Sequence, residues 1–349
     1  MAYLSIPNVR INGISSVVPK KIIKNKDYEY VSDVERKFLI KTTGIVEKRH
    51  AEKGITTSDL GEKAANELIK KLGWKKEEID ILVLVTQSRD YYLPSSAIIL
   101  QDRLGLPTTC MAFDIGLGCS GYVYGLSVIA QFLQNGQLKK GLLISGDVST
   151  ISTNYEDKST YPLFGDAATA TALSFEEGAE SIPFNLENDG KGYEAIIIRD
   201  GGAKNQLNEE TTLLKNYGPG INHTQKDLEL NGLDVFSFSV KEPPKNIREL
   251  FEKSEESIDD VDYFVFHQAN KLIIDTIRKK LKIDAEKVPF SLTKYGNTSS
   301  ASIPLTICNE LSEKSKNKKM LFCGFGVGLS WGSCIINTKD ILCLTPIEY

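Results

Sequence analysis

Histidine is scarce in this chain, with three in 349 residues and none in H-x-x-x-H spacing. The six cysteines include no C-x-x-C pair. Both facts argue against a zinc site or any other metal centre. Six cysteines spread over a chain this long do not make a disulfide framework either. Long apolar runs are missing: no stretch approaches the ~18 residues that a membrane-spanning helix needs. The opening residues, Met-Ala-Tyr-Leu-Ser-Ile-Pro, lack the basic segment and apolar core of a secretory signal. Neither sign of charge dominates. The formal net charge is −4, which gives no reason to expect nucleic acid or an anionic membrane as partner. These absences point to a cytoplasmic protein without membrane insertion. Its hydrophobic residues, 41% of the chain, suffice for a large core in one big domain or two fused ones.

Apolar runs alternate with amphipathic stretches, the pattern of an α/β protein. One phrase occurs twice. The first copy starts at the apolar run Ile81–Val85. A small-residue turn containing Cys119 follows 38 positions after Ile81, then a helical stretch with Val123, Leu126, Ile129, Phe132 and Leu133 on one face. Lys139-Lys140 and a second strand, Leu142–Gly146, close it. The second copy starts at Tyr263–Phe266 and carries Asn297 in its turn, 34 positions on. Ile303, Ile307 and Leu311 mark its helix, and Lys318-Lys319 precede the strand Leu321–Gly324. From turn to second strand the two copies run 23 and 24 residues. Strand–helix–strand units in general repeat near this spacing, but two long matched segments favour duplication of one unit. A pseudo-twofold axis would then set the Cys119 turn against the Asn297 turn. The halves run 1–175 and 176–349, with residues 201–232 as a polar excursion in the second.

Chemistry concentrates at three turns. Cys119 lies in Gly116-Leu-Gly-Cys-Ser-Gly121, between a strand and a helix. A helix N-terminus stabilises a thiolate, so the thiol is expected below its free pKa of ~8.5. The flanking glycines let the backbone bend and leave room for a carbonyl. The other five cysteines read as buried structural residues. His267 follows an apolar strand directly; alone it is a structural histidine, and only partners make it catalytic. Asn297, in Tyr295-Gly-Asn-Thr-Ser-Ser300, could by itself be a helix cap or a turn residue. The turn Gly324-Phe-Gly-Val-Gly328 lacks G-x-G-x-x-G spacing and leads into a strand. It is no phosphate loop, but its backbone N–H groups could meet an oxyanion.

In this order and spacing the Cys119, His267 and Asn297 motifs resemble the ketoacyl synthase III (3-oxoacyl-acyl-carrier-protein synthase III) family of the thiolase superfamily. The resemblance runs from about Ile11 to Ile336, supported by Thr43–Ile45, Leu93–Ser96, Phe164–Asp166, Val235-Phe236 and Ser330–Gly332. Asn as third catalytic residue separates this family from thiolases, with a second Cys, and from elongating synthases, with a second His. The resemblance implies a five-layered thiolase-like α/β fold from two duplicated halves, and a homodimer. It implies that Cys119 is acylated from a thioester. His267 and Asn297 then stabilise the enolate formed as malonyl-acyl carrier protein loses carbon dioxide, giving a 3-oxoacyl thioester. No cofactor is implied; acyl-coenzyme A or acyl-carrier-protein thioesters are the substrates. The backbone N–H groups of Cys119 and Val327 would hold the acyl oxyanion, Val327 replacing a usual glycine. Phe325 would exclude water beside the thiol. Leu93 would cross the dimer interface to close the partner's acyl tunnel. Asn270 would meet the pantetheine arm.

Several departures concern the donor. Phe38 and Lys158 stand where relatives often sandwich adenine between Trp and Arg, and Thr42, Ser237 and Leu272 replace basic nucleotide contacts. Arg278, Lys279, Lys280 and Lys282 are kept where the family docks its acidic carrier, and are equally readable as a solvated helix face. Condensation leads as the expected activity. The alternative is acyl transfer, without condensation, to a hydroxyl or amine of a sugar or secondary metabolite.

Overall fold

The computed structural model describes residues 2–349. Two mixed β-sheets carry the chain. The larger has the order Leu342–Cys343, Val9–Val18, Ala167–Phe175, Lys140–Asp147, Ile81–Val85, Met111–Ile115, with Ile347–Glu348 also on Val9–Val18. The smaller has the order Ala2–Ile6, Ile182–Asn188, Ser330–Thr338, Lys318–Gly326, Tyr263–Phe266. Among the described residues eight α-helices fill the space around them: α1 Asp33–Thr43, α2 Thr57–Leu72, α3 Ser96–Arg103, α4 Gly121–Leu133, α5 Gly232–Ser254, α6 Lys271–Leu281, the single turn α7 Leu292–Tyr295, and α8 Ser302–Glu310.

Ile81–Val85 is apolar and buried at every position, because both faces of the sheet are covered. Helices α4 and α8 lie between the sheets, and one core joins them to strands of both: Val83 and Leu143 from one sheet, Val265 and Phe322 from the other. α2 and α3 cover the outer face of the larger sheet. α5 and α6 cover that of the smaller. The order is helix, sheet, helix, sheet, helix, the five layers of the thiolase-like fold.

The repeated phrase has the same connectivity in both copies. Ile81–Val85 runs parallel to Lys140–Asp147, which pairs antiparallel with Ala167–Phe175. Tyr263–Phe266 runs parallel to Lys318–Gly326, which pairs antiparallel with Ser330–Thr338. The ends of the chain cross over: Ala2–Ile6 joins the smaller sheet, while Leu342–Cys343 and Ile347–Glu348 join the larger. The expected buried stripe of α4 holds at Val123, Leu126, Ile129 and Leu133, whereas Phe132 is 41% exposed. It sits at the edge of the stripe and packs edge-on against Phe113 instead. Within 201–232 the chain forms a small hairpin, Lys215–Gly218 with Ile221–His223. His223 is buried there and stacks on Tyr217. All six cysteines are free, and Cys323, Cys334 and Cys343 lie on strands. Among the described residues no helix is long and apolar enough to cross a membrane.

Candidate active site

A cavity of about 550 Å³ opens between the halves, and Cys119, His267 and Asn297 all line it. Each comes from the end of a strand or the start of a helix in the middle layers. Cys119 precedes α4. His267 follows Tyr263–Phe266 and is tied by its N–H to the Cys323 carbonyl at 2.8 Å. Asn297 is clamped to the other half: its N–H donates to Leu163 O at 2.8 Å, and its carbonyl accepts from Gly165 N at 3.0 Å. The two turns thus meet at the centre of the molecule.

Cys119 is 6% exposed. Its nearest polar side-chain partner is the Ser299 hydroxyl, 4.0 Å from the sulfur. The backbone N–H groups of Cys119 and Val327 also favour the thiolate, as does Ser299. Burial outweighs them and pushes the thiol up to about 12, with the Asp147 carboxylate adding to the rise. This corrects the expectation from the helix N-terminus. At this depth of burial, desolvation of the anion exceeds the gain from the helix end. The hairpin strand runs very close to the thiol at Gly326, where an added Cβ would lie 2.8 Å from Cys119 Cβ and 3.1 Å from Sγ.

His267 is 1% exposed, and burial pushes its pKa down to about 3, so the ring is neutral at working pH. Nδ1 lies 2.7 Å from Ser302 Oγ, and the ring packs edge-on against Phe325 with centroids 5.4 Å apart. Asn297 Oδ1 accepts the Ser299 N–H at 2.9 Å. That bond occupies the carbonyl end of the amide and leaves its NH₂ to donate. Asn297 is a turn residue and a cavity residue at once. Ser299 itself adopts φ 50°, a left-handed conformation that non-glycine residues rarely hold outside functional or tightly specified turns.

Asp147, Ser299 and Ser302 were not legible as site residues. Asp147 ends the strand Lys140–Asp147 and is 2% exposed. Its Oδ1 accepts from Thr86 Oγ1 at 3.0 Å and from the N–H groups of Gln87 and Ser88 at 2.7 and 3.2 Å. Burial holds this carboxyl above the usual carboxylate range. The one available signal was position, since Asp147 directly follows the repeated strand phrase.

The remaining expected contacts are more scattered. Phe325, Val327 and Asn270 line the cavity. Asn270 Oδ1 also caps α6 through the N–H of Ile273 at 2.8 Å. Phe38 and Lys158 do not line it: Phe38 is 69% exposed, and Lys158 Nζ is paired with Glu35 at 3.1 Å. Leu93 is 86% exposed on the outer surface. Of the four cations expected to meet the carrier, Arg278 donates to the Ile283 carbonyl and Lys280 to the Val240 carbonyl, which leaves Lys279 and Lys282 unengaged among the described residues.

A duplicated five-layer fold with a buried Cys, His and Asn converging from its two halves defines a protein of the thiolase superfamily. The comparisons refine this. Residues 113–190 match the family model for 3-oxoacyl-[acyl-carrier-protein (ACP)] synthase III, and residues 251–338 match that for its C terminal. A beta-ketoacyl-[acyl-carrier-protein] synthase III of Clostridioides difficile is 34% identical over 329 residues, 93% of this chain and 97% of that one. That of Clostridium novyi is 35% identical over 94% of this chain and 98% of that one. The crystal structure of a 3-oxoacyl-(acyl-carrier protein) synthase from Burkholderia xenovorans superposes with TM-score 0.93 at 34% identity. It covers 100% of this chain and 99% of that one. The chain belongs to the 3-oxoacyl-acyl-carrier-protein synthase III family.

Proposed function

We propose that this enzyme joins an acyl group, held on Cys119, to malonyl-acyl carrier protein with loss of carbon dioxide, releasing a 3-oxoacyl thioester. The Cys119 sulfur attacks the priming thioester, the thioester C–S bond breaks, and the Cys119 proton passes to the departing donor thiol. The backbone N–H groups of Cys119 and Val327 flank the sulfur and hold the oxyanion of the tetrahedral intermediate. Malonyl thioester then loses carbon dioxide, and its electron pair forms an enolate. The enolate attacks the acyl carbon, and Cys119 leaves as thiolate. Substrates and side chains supply every electron pair, and one proton from solvent restores the Cys119 thiol, so the sequence of steps needs no cofactor.

The observation that carries this reading is a pair of neutral donors facing the cavity that Cys119 lines. His267 is uncharged and Asn297 has its carbonyl end occupied, so both are poised to donate to an enolate oxygen. Acyl transfer to a hydroxyl or amine creates no enolate and has no use for them. The test is intact-mass analysis with acyl donor, then malonyl-acyl carrier protein, with carbon dioxide measured. His267→Ala and Asn297→Ala should still acylate, yet lose about 10²–10³ in condensation rate. Condensation at wild-type rate in both variants would return the reading to simple transfer.

The active form proposed is a homodimer. Met111–Ile115 is an edge strand of the larger sheet, and Tyr91, Tyr92, Leu93, Ile98, Met111 and Phe132 are exposed large apolar residues on the neighbouring elements. An open edge beside exposed apolar side chains is a surface that a second copy covers. The carrier protein would dock near α6, where Lys279 and Lys282 are the unengaged cations.

A further inference from the structure

A neutral imidazole carries one proton, and which nitrogen holds it decides whether its free edge donates or accepts. Nδ1 of His267 is 2.7 Å from the hydroxyl of Ser302, the first residue of α8. Both side chains are 1% exposed. The Ser302 hydroxyl makes no other hydrogen bond among the described residues. Two arrangements are open. If Nδ1 carried the proton, Ser302 would accept that hydrogen bond, and its own O–H would be left without an acceptor at a position only 1% exposed. A buried donor without a partner is strongly disfavoured. If Nδ1 is bare, the Ser302 O–H points at it, and only hydroxyl lone pairs go unused, which is far less unfavourable. The Ser299 carbonyl also lies beside the ring and favours a ring proton.

We propose that Ser302 is a positioning residue: its hydroxyl donates to Nδ1 of His267 and holds the imidazole as the Nε2–H tautomer, so the cavity meets a donor and not a base. The ring then donates a hydrogen bond to the developing enolate oxygen as carbon dioxide leaves, without giving up its proton. The same tautomer has no lone pair at Nε2 to take the Cys119 proton, so priming does not use His267 as its base. The consequence for catalysis rests on the condensing reading above; the tautomer itself does not.

The test is long-range ¹⁵N–¹H correlation on protein labelled at its three histidines, from about pH 6 to 8, beside the two half-reactions. Wild type should show His267 as a neutral Nε2–H tautomer throughout. Ser302→Ala should admit the Nδ1–H form. It should lose about 10² in malonyl-carrier-protein decarboxylation, the loss expected for one misdirected donor, while acylation of Cys119 falls much less. Ser302→Thr, which keeps a hydroxyl, should restore both tautomer and decarboxylation. An Nδ1–H tautomer in the wild type overturns the proposal, even if no variant folds. So does a Ser302→Ala protein with unchanged tautomer and decarboxylation. A wild type with the Nε2–H tautomer but no decarboxylation would instead sink the condensing reading and leave the Ser302 assignment standing.

Discussion

Gly326→Ala isolates the close approach between the hairpin strand and the thiol. The new Cβ would stand 2.8 Å from Cys119 Cβ and 3.1 Å from Sγ, against ~3.5–4.0 Å for ordinary carbon contacts. Roughly 1 Å must be found, and the surroundings limit where. Gly326 ends a strand paired along its length with Ser330–Thr338, and Cys119 is buried at the head of α4. The thiol side chain or the strand end shifts, and with it the N–H of Val327 next door. A misplacement of that size costs about 10² in rate, and overpacking a core position about 1–3 kcal/mol. The internal comparison is Gly118→Ala. Its Cβ would meet Gln87 Oε1, the far end of a flexible side chain that can swing away. Acylation rate by intact-mass time course, alongside thermal unfolding, should show Gly326→Ala slowed about 10²-fold. Gly118→Ala should be affected far less. Equal rates in the two variants would show that the strand does not set the thiol's position.

With the Cys119 thiol pushed up to about 12, alkylation of the free enzyme should rise about tenfold per pH unit across the neutral and mildly alkaline range. Asp147→Asn removes an anion that raises this pKa and should speed alkylation at fixed pH; a plateau near neutrality would show that the thiolate already dominates. Lys158 is engaged by Glu35 and Phe38 lies exposed off the cavity, so kcat/KM should favour an acyl group on carrier protein over the same group on coenzyme A. That preference should fall with salt and with Lys279→Glu/Lys280→Glu, and a tenfold win for coenzyme A, indifferent to both changes, would refute it. Leu93→Phe should depress use of long donors more than of acetyl donors if Leu93 plugs a partner's tunnel; equal effects would place it elsewhere.

The candidate residues were legible because Cys119 and Asn297 sit in runs of small residues and His267 directly follows an apolar strand, patterns that local sequence carries. The matched copies around Cys119 and Asn297 were legible for the same reason. What lay outside that pattern depends on distant packing. Ser302 is 35 positions from His267, and Asp147 reaches Ser300 Oγ, 153 positions away, at 3.5 Å. As single letters they are an ordinary serine and an ordinary strand-end aspartate. The direction of the Cys119 pKa was misjudged because the motif reveals the helix end but not the depth of burial. Phe132 was misplaced because helical periodicity cannot say how wide a stripe the neighbouring sheet covers.

The crossed ends of the chain have a consequence for how the molecule assembles. Ala2–Ile6 completes the sheet of the later half, and the strands at 342–348 complete that of the earlier one. During synthesis the smaller sheet is incomplete until Ser330–Thr338 is made, and the larger until Leu342–Cys343 and Ile347–Glu348 are made. Pairings this distant in sequence are slow to find, and the partly built chain holds unpaired strand edges while it waits. Each half is buckled to the other by a strand from its far end. Pulling on Ala2–Ile6 and on the strands at 342–348 would therefore load the two outermost seams first, ahead of the layer that holds the Cys119 and Asn297 turns.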